Sequence, residues 1–154
     1  MGKEIINNLL VRVYGLIVNK SAQILLSDEY MYDRRMTKFP GGGLELGEGP
    51  EDCIKREAFE EFGQDIEIEE HFYTTGFFQR ALFFENHQLL SIYYLIRFKE
   101  PPRFHISDVP FDFDDLNGSQ SFRWEHLKNL KDTDLSFPVD RYVLGLLKKQ
   151  IGLK

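Results

Sequence analysis

The chain has 154 residues, of which 42% are hydrophobic and 14% aromatic, so it holds enough apolar material for the core of one compact domain. With 25 acidic and 19 basic residues, its net charge of -6 disfavours nonspecific binding to a nucleic acid polymer or to an anionic membrane. We therefore expect a single domain over residues 1–154 that binds neither a polymer nor a membrane.

The first residues lack the charged and then apolar layout of a secretion signal, and the apolar runs are too short to span a membrane. The single cysteine, Cys53, cannot form an internal disulfide and is accompanied by no cysteine and histidine cluster. Together these features predict a cytoplasmic protein.

Two β-branched and aliphatic segments open the chain, at residues 9–18 and 22–26. They flank a short polar stretch, Asn19-Lys20-Ser21, that is typical of a turn. The pattern predicts an antiparallel hairpin.

The next segment, residues 27–38, is polar and leads into Phe39-Pro40, so it predicts an exposed loop. It contains three basic residues, Arg34, Arg35 and Lys38. They could be ordinary loop charges, or they could clamp a phosphate group of a substrate. Both interpretations remain open at this point.

Residues 50–62 predict an amphipathic helix. Pro50 suits the first turn, and Glu51 and Asp52 are favourable at the positive end of the helix dipole. Gly63 is suited to cap the C-terminal end. Apolar side chains recur at helical spacing, so we expect one face to pack against a sheet: Ile54, Ala58, Phe59 and Phe62.

Beyond this helix, segments rich in aromatic and β-branched residues predict strands at 66–68, 73–84, 88–98, 104–106 and 122–124. Residues 139–150 predict a C-terminal helix, since Val143, Leu146 and Leu147 recur at helical spacing. A set of strands with one internal and one terminal helix predicts an α/β layered domain, with a mixed sheet between the helices.

Three carboxylates follow the glycine run Gly41–Gly43 at helical spacing. Glu57, Glu60 and Glu61 share one patch of the helix surface, where their like charges repel unless a cation neutralises them. Hard oxygen ligands favour Mg²⁺, or alternatively Mn²⁺. The pattern predicts a divalent-metal site for phosphate chemistry, against the alternative of a surface helix whose glutamates face water.

Neighbouring residues fit supporting roles in such a site. Arg56 could orient a carboxylate with its fork of donors, and Glu48 could pair with Arg56 or hold the loop. Gly41 is the best placed residue to lend a backbone carbonyl to the metal, because a chain without Cβ can approach closely.

Taken as one line, the segment from Gly42 to Gly63 resembles the Nudix box, the signature of the Nudix hydrolase family. The matching positions are Gly42-x5-Glu48-x7-Arg56-Glu57-Ala58-x-Glu60-Glu61-x-Gly63. One position departs from the pattern, because Gln64 stands where the family has an aliphatic residue. The resemblance implies an α/β/α sandwich with a mixed sheet, the box helix and the C-terminal helix.

The resemblance also implies an Mg²⁺-dependent pyrophosphohydrolase that cleaves a nucleoside diphosphate linked to another moiety. A nucleoside triphosphate is favoured over a nucleotide sugar, and a non-catalytic nucleotide-binding or sensor domain is the alternative. Glu57, Glu60, Glu61 and the Gly41 carbonyl look like the metal ligands, and one of the glutamates is the base in some members.

A further acid in many members comes from a loop beyond the box, for which the candidates here are Asp108, Asp112, Asp114 and Asp115. The expected partner is a small nucleotide. A homodimer is compatible with the resemblance, and the sequence leaves the oligomeric state open.

Overall fold

The computed structural model describes residues Glu4–Gly152. In chain order, its elements are β1 (Asn8–Leu16), β2 (Gln23–Met31), β3 (Arg34–Lys38), β4 (Gly41–Gly43), α1 (Pro50–Phe62), β5 (Ile66–Thr74), β6 (His87–Phe98), β7 (Ser119–His126), a 3₁₀ turn (Asp132–Asp134) and α2 (Pro138–Gln150). No helix in this described range has the length and apolar character needed to cross a membrane.

The strands form two sheets. One has the order β4-β1-β6-β5 and is mixed, because β1 and β6 run parallel with Tyr14 opposite Tyr93. The other has the order β3-β2-β7 and is antiparallel. The α/β class with a box helix and a C-terminal helix is confirmed, while the strands are divided between two sheets.

Apolar side chains form two clusters, one packed by each helix. Strands β1 and β2 contribute residues to both clusters: Val13 and Leu25 belong to the α1 cluster, whereas Tyr14 and Leu26 belong to the α2 cluster. Because successive side chains of a strand point to opposite faces, a strand covered on both sides is apolar throughout. This explains the unbroken apolar runs near the N-terminus.

The predicted antiparallel hairpin between residues 9–18 and 22–26 is confirmed only at its turn, where Val18 and Ile24 form one antiparallel bridge. The extended strand pairing is wrong, because β1 pairs with β4 and β6. The chain leaves one sheet and enters the other at this turn, where Ala22 has a φ of 58°. The apolar pattern and turn residues are those of a hairpin, but the pairing partners of β1 lie farther along the chain.

The predicted exposed loop at residues 27–38 is also wrong. β2 continues to Met31 and pairs antiparallel with β3, with Ser27 opposite Lys38. Some of its charges are paired inside the protein: Asp28 is fully buried and accepts a 2.7 Å hydrogen bond from Nε of Arg123. A partner 95 residues away leaves no local signal in the sequence.

The predicted strand 73–84 ends early. β5 stops at Thr74, and residues 75–86 form a loop with one bridge, between Arg80 and Gln88; rings of this loop such as Phe77 and Phe78 are exposed. Residues 104–106 form no strand, while 122–124 lie within β7. Aromatic content here reflects loop packing against neighbouring rings rather than strand pairing.

Both helices are confirmed. Gly63 ends α1 with a φ of 66°, and its N–H donates to Phe59 O at 2.8 Å. The adjacent Gln64 is buried and holds the chain that follows β6: its Nε2 donates to Pro101 O at 3.1 Å, and its Oε1 accepts from Arg103 N at 2.5 Å. The polar departure from the family pattern therefore has a structural role.

We expect Gly63→Ala to lower the free energy of unfolding by about 1 kcal/mol, because a side chain is strained at positive φ. Gly145 is the matched control: it lies inside α2, and an added Cβ would meet no atom of the described chain within 4 Å. Gly145→Ala should raise the free energy of unfolding by about 0.5–1 kcal/mol. Urea denaturation measures both, and shifts of the same sign would contradict this account.

Candidate active site

The site is built where the glycine strand β4 meets α1. At Gly42, an added Cβ would lie 2.3 Å from the carboxyl carbon of Glu57, so this glycine makes room for the carboxylate. At Gly41, where φ is 150°, an added Cβ would lie 2.1 Å from Val13 O on the neighbouring strand. Both glycines are required by close approach, one of a side chain and one of a backbone.

Arg56 is the hub of the site. Its guanidinium binds Glu48 in a two-pronged geometry, at 3.0 Å from Nε and 2.7 Å from Nη2, and Nη2 also donates to Gly43 O at 3.0 Å. Nη1 donates to Glu57 Oε1 at 3.0 Å and lies 3.3 Å from Glu60 Oε2. Hydrogen bonds from Arg56 lower the pKa of Glu48 to about 2, so this pair stays charged.

The three box glutamates differ in environment. Glu57 is largely buried against Arg56, whereas the Glu60 side chain is 57% exposed. Glu61 accepts a hydrogen bond at Oε1 from Gln120 Nε2 at 3.2 Å, while its Oε2 is shielded from solvent and has no hydrogen-bond partner among the described residues. Burial raises the pKa of Glu61 to about 7, although Lys38 opposes the shift.

Within Glu4–Gly152, no three histidine, cysteine or acidic side chains converge into a metal-binding group. Arg56 draws Glu57 and Glu60, and Glu61 turns to Gln120. The three carboxylates thus share a region of the surface, but they are turned towards protein partners.

A fourth carboxylate, Glu29, lies beside this group. Its Oε2 is 2.9 Å from Lys38 Nζ and 3.5 Å from Gln120 Nε2, the amide that also binds Glu61. Lys38 in turn donates to Gly41 O at 3.3 Å. The sequence analysis missed Glu29 because its strand was interpreted as a loop; the signal was a polar alternation of Ser27 and Glu29 beside an apolar run.

The basic residues of β3 do not converge. Lys38 is buried among the groups just described, whereas Arg34 is exposed and lies over the Phe83 ring at 5.6 Å. Arg35 points the other way, where its Nε is 3.0 Å from Asp115 Oδ1. Strand alternation separates these neighbours in sequence.

None of the four loop acids contacts the box carboxylates or Arg56 in the described structure. Asp112 accepts a hydrogen bond from Ser107, Asp115 pairs with Arg35, and Asp108 and Asp114 are exposed. Their contacts place them beside β3 and β7 rather than against Arg56. A catalytic role for one of them stays a prediction.

A cavity of about 190 Å³ opens between the two sheets beside this site. Its wall is mostly apolar, but polar and charged side chains also reach it, among them Arg12, Tyr14, Glu29, Lys38, Ser91 and Asp140. Glu29 and Lys38 belong both to the cavity and to the neighbourhood of Glu61, so the cavity and the carboxylates form one continuous region.

Two of these cavity residues are further charges that the sequence analysis missed. Arg12 donates from Nε to Tyr14 OH at 2.8 Å; burial opposes its charge, but Tyr14, Glu29 and Glu57 raise its pKa. Asp140, only 1% exposed, accepts a hydrogen bond from Tyr93 OH at Oδ1, at 2.5 Å. Each was hidden as a single charge within a strand or helix pattern.

We expect Asp140→Asn to stabilise the fold more at about pH 8 than at about pH 5. Burial raises the pKa of Asp140 from 3.8 to about 6, so the folded state binds this proton more tightly than the unfolded state. The cost of the charged form is absent below about pH 4, grows as pH rises through 6, and reaches about 3 kcal/mol above that.

The measurement is urea denaturation of both proteins at the two pH values. The stability difference between variant and parent should grow by about 1 kcal/mol from pH 5 to pH 8. A difference independent of pH would show that Asp140 carries no raised pKa.

Comparison with known proteins indicates the family and the fold. The family model described as the NUDIX domain matches residues 8–143. A comparison with curated proteins finds no match. Among solved structures, the E. coli ORF135 protein is 16% identical with a TM-score of 0.67, and the alignment covers 94% of this chain and 92% of that one.

Two further structures are similar. A NUDIX hydrolase from Nitrosomonas europaea is 18% identical with a TM-score of 0.68, covering 93% of this chain and 90% of that one. A MutT NUDIX hydrolase from Burkholderia pseudomallei is 20% identical with a TM-score of 0.65, covering 90% and 98%. These likenesses show the fold, while the family model spans most of the chain. The protein therefore belongs to the Nudix family and is a hydrolase that acts on pyrophosphate bonds.

Proposed function

We propose that this protein is an Mg²⁺-dependent pyrophosphohydrolase that cleaves a nucleoside diphosphate linked to another moiety, with a nucleoside triphosphate favoured over a nucleotide sugar. The observation that carries the proposal is the junction of two features: the Arg56-ordered carboxylates of α1 and a cavity whose inner wall bears Arg12 and Lys38. Cations beside a carboxylate cluster suit a phosphate chain held against bound metal.

Nudix hydrolases generally use divalent metal ions, and the donor set fits one. Glu57, Glu60, Glu61 and the Gly41 carbonyl would hold it, all of them hard oxygen donors. The unpartnered Oε2 of Glu61 supports this assignment, since a shielded carboxylate oxygen lacking a partner in the described structure is unfavourable unless a cation or donor satisfies it. When bound, Mg²⁺ or Mn²⁺ supplies charge neutralisation of the diphosphate and activation of water.

The chain's own residues order this chemistry. Arg56 fixes Glu57 and ties the box loop to α1 through Glu48, while Gly42 leaves room for the Glu57 carboxylate. Glu60 is exposed and free to turn from Arg56 towards a ligand. For the proton of the attacking water, the acceptors are a box glutamate, a loop acid or Glu29, which adjoins Glu61 through Gln120.

The basic residues divide into two roles. Lys38 and Arg12, both inside the cavity, are proposed to bind the phosphate chain where it passes towards the carboxylates. Arg34, which lies over a ring of the cavity wall, is proposed to contact the substrate at the rim. Arg35 keeps its proposed phosphate role only if its pair with Asp115 opens on binding.

We also propose a cytoplasmic location. The sequence has one cysteine, Cys53, and it is buried, so the fold uses no internal disulfide, as is usual in a reducing compartment.

The first prediction for this function concerns Glu60. Glu60→Gln should lower Mg²⁺-dependent turnover by at least about 100-fold through loss of a ligand charge, while its 57% exposure leaves the fold nearly unchanged. Phosphate or pyrophosphate release from a panel of nucleoside diphosphate compounds measures this. Glu51→Gln, an exposed acid in the first turn of the same helix, is the matched control and should retain activity.

Full metal-dependent activity in Glu60→Gln would contradict the role of Glu60 as a metal ligand in hydrolysis. Nucleotide-dependent thermal stabilisation without hydrolysis of any compound by the parent protein would instead support the non-catalytic binding or sensor alternative.

A second prediction uses the glycines. Gly42→Ala should lower turnover by about 10–100-fold, because the new methyl group must displace the Glu57 carboxylate. Gly43→Ala is the matched control, since an added Cβ there meets no atom of the described chain within 4 Å. Steady-state kinetics at saturating Mg²⁺ measure both variants, and equal losses in the two would contradict the role of Gly42.

A further inference from the structure

In the described structure, Glu61 is the one glutamate of the α1 trio that Arg56 does not hold. Arg56 hydrogen-bonds Glu57 and Glu60 from the same helix. Among the described residues, the single hydrogen-bond partner of the Glu61 side chain is Gln120 on β7, whose Nε2 donates to Oε1 at 3.2 Å. The orientation of Glu61 therefore depends on a residue 59 positions away, in the other sheet.

Strand register brings Gln120 to the face of the sheet that meets α1. β2 pairs with β7 so that Glu29 lies opposite Gln120, and β2 pairs with β3 so that Ser27 lies opposite Lys38. Ser27 and Glu29 are two residues apart on β2, so their side chains share one face. Their cross-strand neighbours lie on the same face, and together they present a polar row to Glu61.

The amide of Gln120 is itself anchored within this row. Its Nε2 lies 2.9 Å from Ser27 Oγ and 3.5 Å from Glu29 Oε2. Ser27 is fully buried, and its hydroxyl donates to Glu29 Oε2 at 2.9 Å. An amide nitrogen carries two hydrogens, and the shorter distances assign them to Ser27 and Glu61. Gln120 thus connects the Glu61 carboxylate to a buried and already ordered hydroxyl.

Holding one oxygen of Glu61 fixes the direction of the other. Oε2 is shielded from solvent and has no hydrogen-bond partner among the described residues. The proposed function assigns this oxygen to the metal, and a metal ligand needs a partner that keeps it oriented. For Glu57 that partner is Arg56, and for Glu61 it is Gln120.

A simpler role for Gln120 is a cross-strand contact that only stabilises the sheet. Gln23 makes such a contact at the far end of the same strand pair, where its Nε2 lies 3.4 Å from Nε2 of His126. Gln120 differs because it is exposed, so it adds little to packing, and because its amide reaches from the sheet to α1. The two glutamines therefore form a matched pair for experiment.

From these contacts, and resting on the proposed function, we propose that Gln120 is a positioning residue for the hydrolysis. It acts through Glu61: the amide holds Oε1 against the sheet and leaves Oε2 available to the metal ion. Gln120 itself contacts neither the metal nor the substrate. β7 thereby completes a site whose other two glutamates are ordered within the box by Arg56.

Gln120→Leu tests this role, because it nearly keeps the size of the side chain and removes both donors. The Mn²⁺ affinity of the nucleotide-free protein, measured by EPR of free Mn²⁺, should fall by about 10-fold, and kcat at saturating metal by about 10–100-fold. The KM for nucleotide should change by less than about threefold, because no substrate contact is lost. Gln23→Leu is the matched control and should keep the parent's Mn²⁺ affinity and kcat.

A double-mutant cycle shows whether Gln120 acts through Glu61. In the Glu61→Gln background, Gln120→Leu should change Mn²⁺ affinity by less than about twofold, because the carboxylate that it positions is gone. A residue that bound the metal directly would lower the affinity in both backgrounds, and one that only stabilised the sheet would shift the urea midpoint alone. Gln120→Ala removes the same donors and is measured alongside, so the result stands even if Gln120→Leu does not fold.

The outcomes separate the two proposals. A loss of Mn²⁺ affinity and kcat on replacing Gln120, absent in the Glu61→Gln background, supports the positioning role. Parent-like values after replacing Gln120, or an equal loss in both backgrounds, overturn that role and leave the hydrolase assignment intact. A parent protein that neither binds Mn²⁺ nor hydrolyses any nucleotide overturns the proposed function and this inference with it.

Discussion

The bidentate ion pair between Arg56 and Glu48 is the interaction on which the site depends. One guanidinium binds Glu48, the carbonyl of Gly43, Glu57 and Glu60, so it joins the strand, the loop and the helix that form the Nudix box. Without this cation, the carboxylates of α1 would repel one another on a single helix face. Glu48 and the Gly43 carbonyl hold the Arg56 guanidinium in place, so Arg56 positions Glu57 and Glu60 before any ligand binds.

The second constraint is the group of charged side chains that line the cavity beside the α2 cluster. Arg12, Glu29, Lys38 and Asp140 lie within or beside the core, where an unpaired charge is costly. Pairing offsets this for Lys38 and Glu29, whereas one oxygen of Asp140 and one of Glu61 stay unsatisfied in the described structure. Packing of the apolar clusters under α1 and α2 offsets the cost of these two unsatisfied oxygens.

What could be predicted from the sequence was mainly local. Gly63 and Pro50 bound α1 correctly, because caps and helical periodicity act within a few residues. The prediction of strand pairing failed because pairing depends on distant residues. The partners of β1 lie in β4 and β6, and the burial of Asp28 depends on Arg123. Polar residues paired at long range look like loop residues until the fold is known.

The sequence by itself determined the chemistry: three glutamates, an arginine and glycines at fixed spacing within one strand-loop-helix segment, where the hydrogen bonds of Arg56 span at most 13 residues. The tertiary structure decided what that chemistry can be applied to. Parallel pairing of β1 with β6 sets Arg12 opposite Ser91 and Tyr14 opposite Tyr93, and the packing of α2 adds Asp140. Side chains this far apart in sequence meet because strand pairing and helix packing bring distant segments together, and a linear pattern carries no record of which segments become neighbours.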